Sequence, residues 1–133
     1  MGRPDFVDFV AEPRRREYHH RVRTSLRQDD SRNATLKRIV VALRPWGPER
    51  IILFGSLARG DARPDSDLDI LVVLPEAHAV TRRTVIDMRL AIGEVPVDYD
   101  LLITSHAEFE WRQHYVGTIE YPAAHEGVEL YAA

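Results

Sequence analysis

Two short apolar runs in the middle of the chain stand out in its pattern of hydrophobic and polar positions. The first covers residues 51–54 and stops at Gly55, and the second covers residues 70–74 and is followed by Pro75. Short runs that are rich in β-branched residues and bounded by Gly or Pro are typical of buried strands. The pattern therefore predicts two neighbouring strands joined by a polar connection.

Segments with helical periodicity lie on either side of these two strands. The first has apolar residues at the i, i+3, i+4 and i+7 positions of an amphipathic helix, namely Leu36, Ile39, Val40 and Leu43. Residues 31–33 (Ser-Arg-Asn) supply N-cap candidates for this helix, and Pro45 and Gly47 end it. A second helix is predicted over residues 81–92, and it stops at Gly93.

The C-terminal third completes the predicted domain. Residues 95–103 alternate as a third strand would, and Ser105 and Glu108 have the spacing of a capping box that opens a helix containing Phe109 and Trp111. The remaining apolar residues predict a short tail packed against the domain: Tyr121, Val128, Leu130 and Tyr131. These elements predict an α+β domain with a short mixed sheet of about three to five strands and helices packed on one face.

Asp67 and Asp69 stand at the start of the second predicted strand. Residues i and i+2 of a strand share a face and lie roughly 6–7 Å apart, so both carboxylates point the same way while Leu68 points into the core. Two carboxylates on one rigid face can hold one or two hard divalent cations. Mg²⁺ is the usual choice when phosphates supply the other ligands.

Gly55 and Ser56 end the first strand close to these carboxylates. Glycine permits a close backbone approach, and a helical turn over residues 57–59 would direct free N–H groups at a phosphate. Two adjoining strands therefore predict a triphosphate site, with Ser56 as a phosphate contact. Arg59 has two interpretations, a phosphate contact or an ion pair with Asp61 or Asp65.

These residues carry a resemblance to a known family. Gly-Ser-x-Ala-Arg-Gly-Asp at residues 55–61 and Ser-Asp-Leu-Asp at residues 66–69 resemble the signature of the DNA polymerase beta-like nucleotidyltransferase superfamily. The full pattern is similar to its minimal nucleotidyltransferases (MNT) of the MNT/HEPN toxin–antitoxin type. The resemblance implies a polymerase beta-like fold over residues 31–133. Residues 105–110 and 117–131 resemble the terminal helices of that branch.

A third carboxylate is needed for metal-assisted nucleotidyl transfer, where it helps to hold the metal that activates the incoming hydroxyl or accepts the proton of that hydroxyl. Asp98 and Asp100 share one face of the third predicted strand. Aligning Ser105 with the start of the family's helix favours Asp100, and Asp98 remains the alternative, because a shift of two residues preserves the face. The predicted metal ligands are thus Asp67, Asp69 and Asp100, and Asp98 is the alternative to Asp100.

The resemblance also implies a reaction. An acceptor hydroxyl would attack the α-phosphorus of ATP with the help of two Mg²⁺ ions, and the acceptor would be a tyrosine of a HEPN-type ribonuclease toxin bound in a hetero-oligomer. Two alternatives stay open. The chain could neutralise its toxin by binding alone, or it could modify a small molecule or an RNA end.

Composition limits the number of domains, the kinds of binding partner and the cellular location. A chain of 133 residues with a formal net charge of −3 predicts one domain without broad nucleic-acid binding. It has no cysteine and no apolar stretch near the ~20 residues of a membrane span, so we expect a cytoplasmic protein. Residues 1–30 are polar and partly basic. They could form an arm that contacts RNA or an acidic partner surface. Alternatively, they form a solvated or frayed helix, or they result from a start codon placed too early. The basic residues are Arg14, Arg15, Arg16, Arg21, Arg23 and Arg27.

Overall fold

The computed structural model describes residues 26–76 and 80–133. The basic N-terminal residues whose role was predicted from the sequence therefore lie outside the described residues, apart from Arg27. The helices and strands are α1 (Leu26–Leu43), a 3-10 turn (Arg44–Trp46), β1 (Arg50–Phe54), α2 (Ser56–Arg59), β2 (Leu68–Leu74), α3 (Arg82–Ile92), β3 (Tyr99–Ser105), α4 (His106–Arg112), α5 (Glu120–Glu126) and β4 (Val128–Ala132).

The strands form one mixed four-stranded sheet in the order β3-β2-β1-β4. Strand β1 is antiparallel to both β2 and β4, whereas β2 and β3 are parallel and are connected through α3. The register aligns Phe54 with Asp69, and Asp69 with Asp100. The predicted α+β class and the predicted strands at residues 51–54 and 70–74 are confirmed, and the register brings the acidic residues to one end of the sheet.

Helices cover both faces of this sheet. On one face, α1 and α3 pack through a cluster that includes Leu36, Ile39 and Met88 against Leu53 and Ile70. On the other face, Ile52, Phe54, Leu71 and Val73 pack against Phe109 of α4 and Ala123 of α5. The expectation that helices pack on one face only is therefore wrong. The uninterrupted apolar runs account for this difference, because a strand that is apolar at consecutive positions needs cover on both sides.

The first helix begins earlier than its cap candidates suggested. It starts at Leu26, so Ser31 to Asn33 lie inside it instead of capping it. Its C-terminal end agrees with the prediction, since Gly47 takes a left-handed conformation (φ 64°) and its N–H donates to the carbonyl of Arg44. The predicted second helix is confirmed as α3, and its N-cap is Thr81, whose hydroxyl accepts from the N–H of Thr84.

Strand β3 begins at Tyr99 and not at Val95. Its parallel partner β2 starts only at Leu68, whose N–H donates to the carbonyl of Asp98 at 3.0 Å, so the residues before Asp98 have no strand beside them. Val95 and Val97 nevertheless pack against the core. The alternating apolar positions before residue 99 therefore correspond to side chains packed against the core, and not to a paired strand.

The C-terminal segment is an integral part of the sheet. Residues 117–131, expected as terminal helix or tail, contain the short α5 followed by β4, which pairs with β1. The predicted start of α4 is confirmed, since the Ser105 hydroxyl accepts from the N–H of Glu108 at 3.2 Å. No helix within residues 26–76 and 80–133 is both long and apolar enough to cross a bilayer.

Candidate active site

Two of the predicted metal ligands meet across the parallel pair of strands. Asp69 in β2 and Asp100 in β3 are register partners, so their side chains lie next to each other on one face of the sheet. Both lie on the face that carries Leu71, and Asp69 comes two residues before Leu71 in β2. The sheet therefore fixes two carboxylates against one another where β2 and β3 begin.

Asp67 joins this pair electrostatically. Burial raises the pKa of the Asp69 carboxyl above its ordinary value, and the carboxylates of Asp100 and then Asp67 raise this pKa further, whereas Arg59 lowers it. Asp67 immediately precedes β2 and is exposed. Three carboxylates thus lie close enough to repel one another, and a bound cation would relieve that repulsion.

Gly55 ends β1 directly against Asp69. Its φ of +82° is one that residues with a side chain rarely adopt, and a Cβ at this position would collide with the Asp69 carboxylate. The predicted helical turn follows as α2, closed by the bond from the Gly60 N–H to the Ser56 carbonyl at 3.0 Å. Within the described part of the chain, the Ser56 hydroxyl has no hydrogen-bond partner.

Arg59, the last residue of α2, faces two acidic groups besides Asp69. Its Nε lies 3.4 Å from the Asp61 carboxylate and its Nη1 lies 3.7 Å from Glu126 in α5. Of the two ion pairs considered from the sequence, the structure therefore contains the one with Asp61. The guanidinium is about half exposed, so these pairs leave it accessible to a phosphate, and both sequence interpretations remain compatible with its position.

Asp98 occupies a different position from Asp100. It precedes β3, its carbonyl accepts from the N–H of Leu68, and the residue lines two surface clefts together with Asp67. It is not among the groups that raise the pKa of Asp69, whereas Asp100 is the strongest of the charged ones. The geometry therefore brings Asp100, and not Asp98, into contact with Asp69.

Arg32 holds the loop that leads into Asp67, and sequence reasoning missed it. This buried residue of α1 donates from Nη2 to the carbonyls of Arg63 (2.6 Å), Pro64 (3.2 Å) and Ser66 (3.4 Å). The helical periodicity could have indicated that Arg32 is buried, because position 32 lies four residues before Leu36 on the apolar stripe of the helix. An arginine on a buried stripe needs partners for its donors, and here they are the carbonyls of the loop.

The donor set of the site suits a hard divalent cation. Carboxylate oxygens are the ligands that Mg²⁺ prefers, and Asp69 and Asp100 present theirs together. Among residues 26–76 and 80–133, no group of three or more His, Cys, Asp or Glu side chains is already arranged to hold a metal ion. The structure therefore shows a carboxylate pair with a third carboxylate nearby, and the metal-ligand roles of these residues remain predictions.

The chain's similarity to known proteins agrees with this arrangement. Residues 33–123 match the model of the family described as nucleotidyltransferase domain, which is more than half of the chain. The chain belongs to this nucleotidyltransferase family. The match contains the Gly55 corner and all four of the acidic positions predicted from the sequence. It thus assigns the chemistry of nucleotidyl transfer to the domain, though not a role to each residue.

Two individual relatives are similar to parts of the chain. Over 56 residues, or 42% of this chain, it is 38% identical to "Putative protein adenylyltransferase MJ0141" of Methanocaldococcus jannaschii, and the match spans about half (54%) of that protein. The fold is similar to that of a crystal structure of a "putative nucleotidyltransferase" from Sulfolobus solfataricus, with a TM-score of 0.50 and 22% identity. That similarity covers 79% of this chain and 86% of the other, and it confirms the nucleotidyltransferase fold.

Proposed function

We propose that this chain transfers AMP from ATP to a hydroxyl group of a partner protein. The observation that carries the proposal is the contact of Asp69 with Gly55 on one side and with Asp100 on the other, since it joins a glycine corner to a carboxylate pair. The relative named as a protein adenylyltransferase supports AMP as the transferred group. Because the chain matches only about half of that relative, its full activity is a proposal here.

Each residue of the site has a proposed part in the transfer. The triphosphate lies over Gly55 and Ser56, where the glycine admits close approach and the free hydroxyl of Ser56 can donate to a phosphate oxygen. Arg59 moves from its exposed ion pairs to the phosphates. Asp67, Asp69 and Asp100 hold Mg²⁺, which would stabilise the charge on the attacking and leaving oxygens when bound. Asp100, on the side away from Gly55, orients the acceptor hydroxyl and takes its proton.

The acceptor approaches from outside the sheet domain. The described elements after β3, namely α4, α5 and β4, pack against the sheet through residues such as Phe109, Ala123 and Val128. They therefore complete the domain itself and do not form a separate acceptor domain. Following the resemblance, we propose a HEPN-type ribonuclease toxin as the partner, with a tyrosine as the modified residue and AMP as the inactivating group.

A transfer assay tests this proposal. The purified chain is mixed with a candidate HEPN-type toxin, Mg²⁺ and α-labelled ATP, and label on the toxin is measured. We expect Asp69→Asn and Asp100→Asn to lower the transfer rate by at least ~10³-fold, as loss of several kcal/mol of charge stabilisation would. Asp98→Asn is the matched control and should keep most of the activity.

Three results would contradict parts of the proposal. Full labelling by the Asp69→Asn variant would exclude catalysis at this site. A loss with Asp98→Asn and not with Asp100→Asn would move the third carboxylate to the alternative position. Label that requires only the toxin and ATP would show that the chain is not the transferase.

Neutralisation by binding alone is a second candidate, and one surface favours it. The end of α4 and its connection to α5 expose large apolar side chains, namely Trp111 (52% exposed), Tyr115 (57%), Val116 (81%) and Ile119 (38%). Exposed apolar groups in close succession suit a protein contact. If this surface masks the toxin, the Asp69→Asn variant will still neutralise it at a one-to-one ratio, without any label.

A further inference from the structure

The C-terminal end of α5 lies beside the Gly55 corner, on the side away from β2. Strand β1 lies between β2 and β4 in the sheet. Leu53 of β1 pairs with Val128, the first residue of β4, in an antiparallel register, so the chain that leads into β4 comes from the direction of Gly55. Glu126, the last residue of α5, precedes Val128 by two residues. A triphosphate over Gly55 would therefore have Asp69 on one side and Glu126 on the other.

Helix α5 also lies over the face of the sheet that carries the carboxylate pair. Its Ala123 packs in one cluster with Leu71, and Asp69 comes two residues before Leu71 on the same face of β2. Gly127 fixes the backbone that follows Glu126, because a Cβ at Gly127 would collide with the Ala123 carbonyl and with a side chain of β1. A tightly packed backbone therefore presents Glu126 to the site.

Glu126 forms an ion pair with Arg59 of α2. The Nη1 of Arg59 lies 3.7 Å from the Glu126 carboxylate, and its Nε lies 3.4 Å from the Asp61 carboxylate. The charge of Arg59 also lowers the pKa of Asp69, so the guanidinium lies within electrostatic reach of the carboxylate pair. One guanidinium is thus shared by acidic groups on both sides of the Gly55 corner.

The ion pair between Arg59 and Glu126 is weak enough to be exchanged for a phosphate. The two side chains are 43% and 48% exposed, and ion pairs between exposed groups contribute little free energy because water and salt screen them. A triphosphate offers several anionic oxygens, and hydrogen bonds from a guanidinium to phosphate are among the stronger ones in proteins. When ATP binds, Arg59 can therefore leave Glu126, and the free energy of the lost pair reduces the free energy of binding.

We propose that Glu126 is a positioning residue of the triphosphate site, which holds Arg59 when no nucleotide is bound and competes with the triphosphate for Arg59 when ATP binds. The inference rests on the proposed function and adds to it a residue that sets the affinity for the nucleotide. Glu126 acts through Arg59 and touches no reacting atom. Its removal strengthens binding in the ground state and in the transition state alike, so it lowers KM for ATP without raising kcat.

Calorimetric titration of the full chain with a non-hydrolysable ATP analogue tests this proposal. The titrations contain Mg²⁺ and about 0.15 M salt, at which exposed charges more than about 8 Å apart are largely screened. The variants are Glu126→Gln, Arg59→Gln and the double variant. Glu129→Gln is the matched control, because it removes the same charge from β4, where Glu129 pairs with Arg50 at 3.0 Å. The melting temperature of each variant reports any loss of structure.

Tighter binding on removal of Glu126 distinguishes competition from structural support. Glu126→Gln should bind the analogue about two- to fivefold more tightly than the wild type, the range expected for loss of a competing exposed ion pair. KM for ATP should fall by the same factor in the transfer assay. Arg59→Gln should weaken binding about tenfold, because a charge-assisted hydrogen bond to phosphate is lost. In that background Glu126→Gln should have no further effect, and Glu129→Gln alone should bind as the wild type does.

Any of three results would overturn the inference. Equal or weaker binding by Glu126→Gln, with or without a lower melting temperature, would show that the pair does not compete with the triphosphate. Tighter binding that persists in the Arg59→Gln background would show that Glu126 repels the triphosphate directly and does not act through Arg59. An equal gain in Glu129→Gln would show a general effect of net charge.

Failure of the proposed function would look different. If Glu126→Gln tightens nucleotide binding through Arg59 but no toxin is labelled from α-labelled ATP, the assignment of Glu126 stands and the proposed transfer of AMP is wrong. If the toxin is labelled through Asp69 and Asp100 but Glu126→Gln changes neither the affinity for the analogue nor KM for ATP, the proposed function stands and the assignment of Glu126 is wrong.

Discussion

At the scale of single residues, the tightest constraint in the site joins Gly55 to Asp69. The glycine has both a positive φ and no room for a Cβ beside the carboxylate. Gly47 has a similar φ of +64°, but a Cβ there would meet nothing within 4 Å. The two positions therefore separate the cost of an unfavourable backbone conformation from the cost of displacing Asp69.

This contrast predicts different outcomes for two alanine substitutions. Both Gly55→Ala and Gly47→Ala should lower the free energy of unfolding by about 1 kcal/mol or more because of the backbone strain. Only Gly55→Ala should also lower the transfer rate, by at least ~100-fold, because misplacing a reacting group by about 1 Å can cost that much. Thermal unfolding and transfer assays on both variants check this. An active Gly55→Ala enzyme would contradict the proposed packing of the site.

Asp69 illustrates a site residue that works against stability. Its pKa is raised in the folded state, first by burial and then by Asp100 and Asp67. For an acid, a raised folded-state pKa means that stability falls as the pH rises from the unfolded-state pKa through the folded-state value, and the loss is complete above it. Without a cation, the raised pKa of Asp69 therefore makes the domain less stable at neutral pH than at a pH below the unfolded-state pKa of this carboxyl.

Removing that charge should have opposite effects on stability and activity. In EDTA at pH 7, Asp69→Asn should have a melting temperature equal to or above that of the wild type, because an uncharged amide beside Asp100 and Asp67 removes the repulsion. The same variant should be inactive. Asp87→Asn, at an exposed site on α3, is the control. A melting temperature several degrees below the wild type would show that Asp69 is mainly a structural residue.

At the scale of elements, the sequence determined more of the strands than of the helices. Residues 51–54 and 70–74 were recognisable because apolar runs of this length, bounded by Gly and Pro and rich in β-branched residues, rarely form anything but buried strands. Those runs also required cover on both faces, which the helix predictions did not take into account. The start of α1 was misplaced because Ser31 has the chemistry of a cap, and only the tertiary contacts of Arg32 show that this turn is inside the helix.

Strand β4 could not be predicted from its own sequence. Val128, Leu130 and Tyr131 form a short apolar pattern that fits a packed tail as well as a strand, and the pairing partner is β1, almost 80 residues away along the chain. Gly127 makes the close approach possible, since a Cβ there would collide with the Ala123 carbonyl and the Ile52 side chain. Pairing over such a separation depends on the whole fold and not on local preference.

The loop between α2 and β2 gives a prediction for Arg32. Arg32→Gln shortens the side chain and should free the carbonyls of Arg63, Pro64 and Ser66, and it should destabilise the domain by about 1–3 kcal/mol as buried hydrogen bonds are lost. Because Asp67 follows this loop directly, kcat should also fall. Arg32→Lys should recover part of the stability but not the fixed position of the loop.

Hydrogen exchange distinguishes this positioning role from simple destabilisation. In Arg32→Gln, the N–H of Ser66, which donates to the Arg63 carbonyl at 3.0 Å, should lose protection, while amides of β1 keep theirs relative to the global stability. Uniform loss of protection through the sheet would show that Arg32 supports the core as a whole and has no special connection to Asp67.

At the scale of the whole molecule, the site depends on how the sheet orders its strands. Asp69 and Asp100 are neighbours because β2 and β3 are parallel and aligned in this register. No local sequence pattern shows that pairing. The acidic residues and the glycine corner were predicted from the sequence, and the preference for Asp100 over Asp98 came from the resemblance to the family.

The central claim is that carboxylates of β2 and β3 form one divalent-cation site beside Gly55, and cation binding tests it most directly. Binding of Mn²⁺ as a probe for Mg²⁺ can be titrated by electron paramagnetic resonance in the presence of a non-hydrolysable ATP analogue. We predict that Asp69→Asn and Asp100→Asn each weaken binding by at least ~10-fold, while Asp98→Asn and Asp87→Asn bind as the wild type does. Equal Mn²⁺ affinity in the wild type and Asp69→Asn would contradict the account.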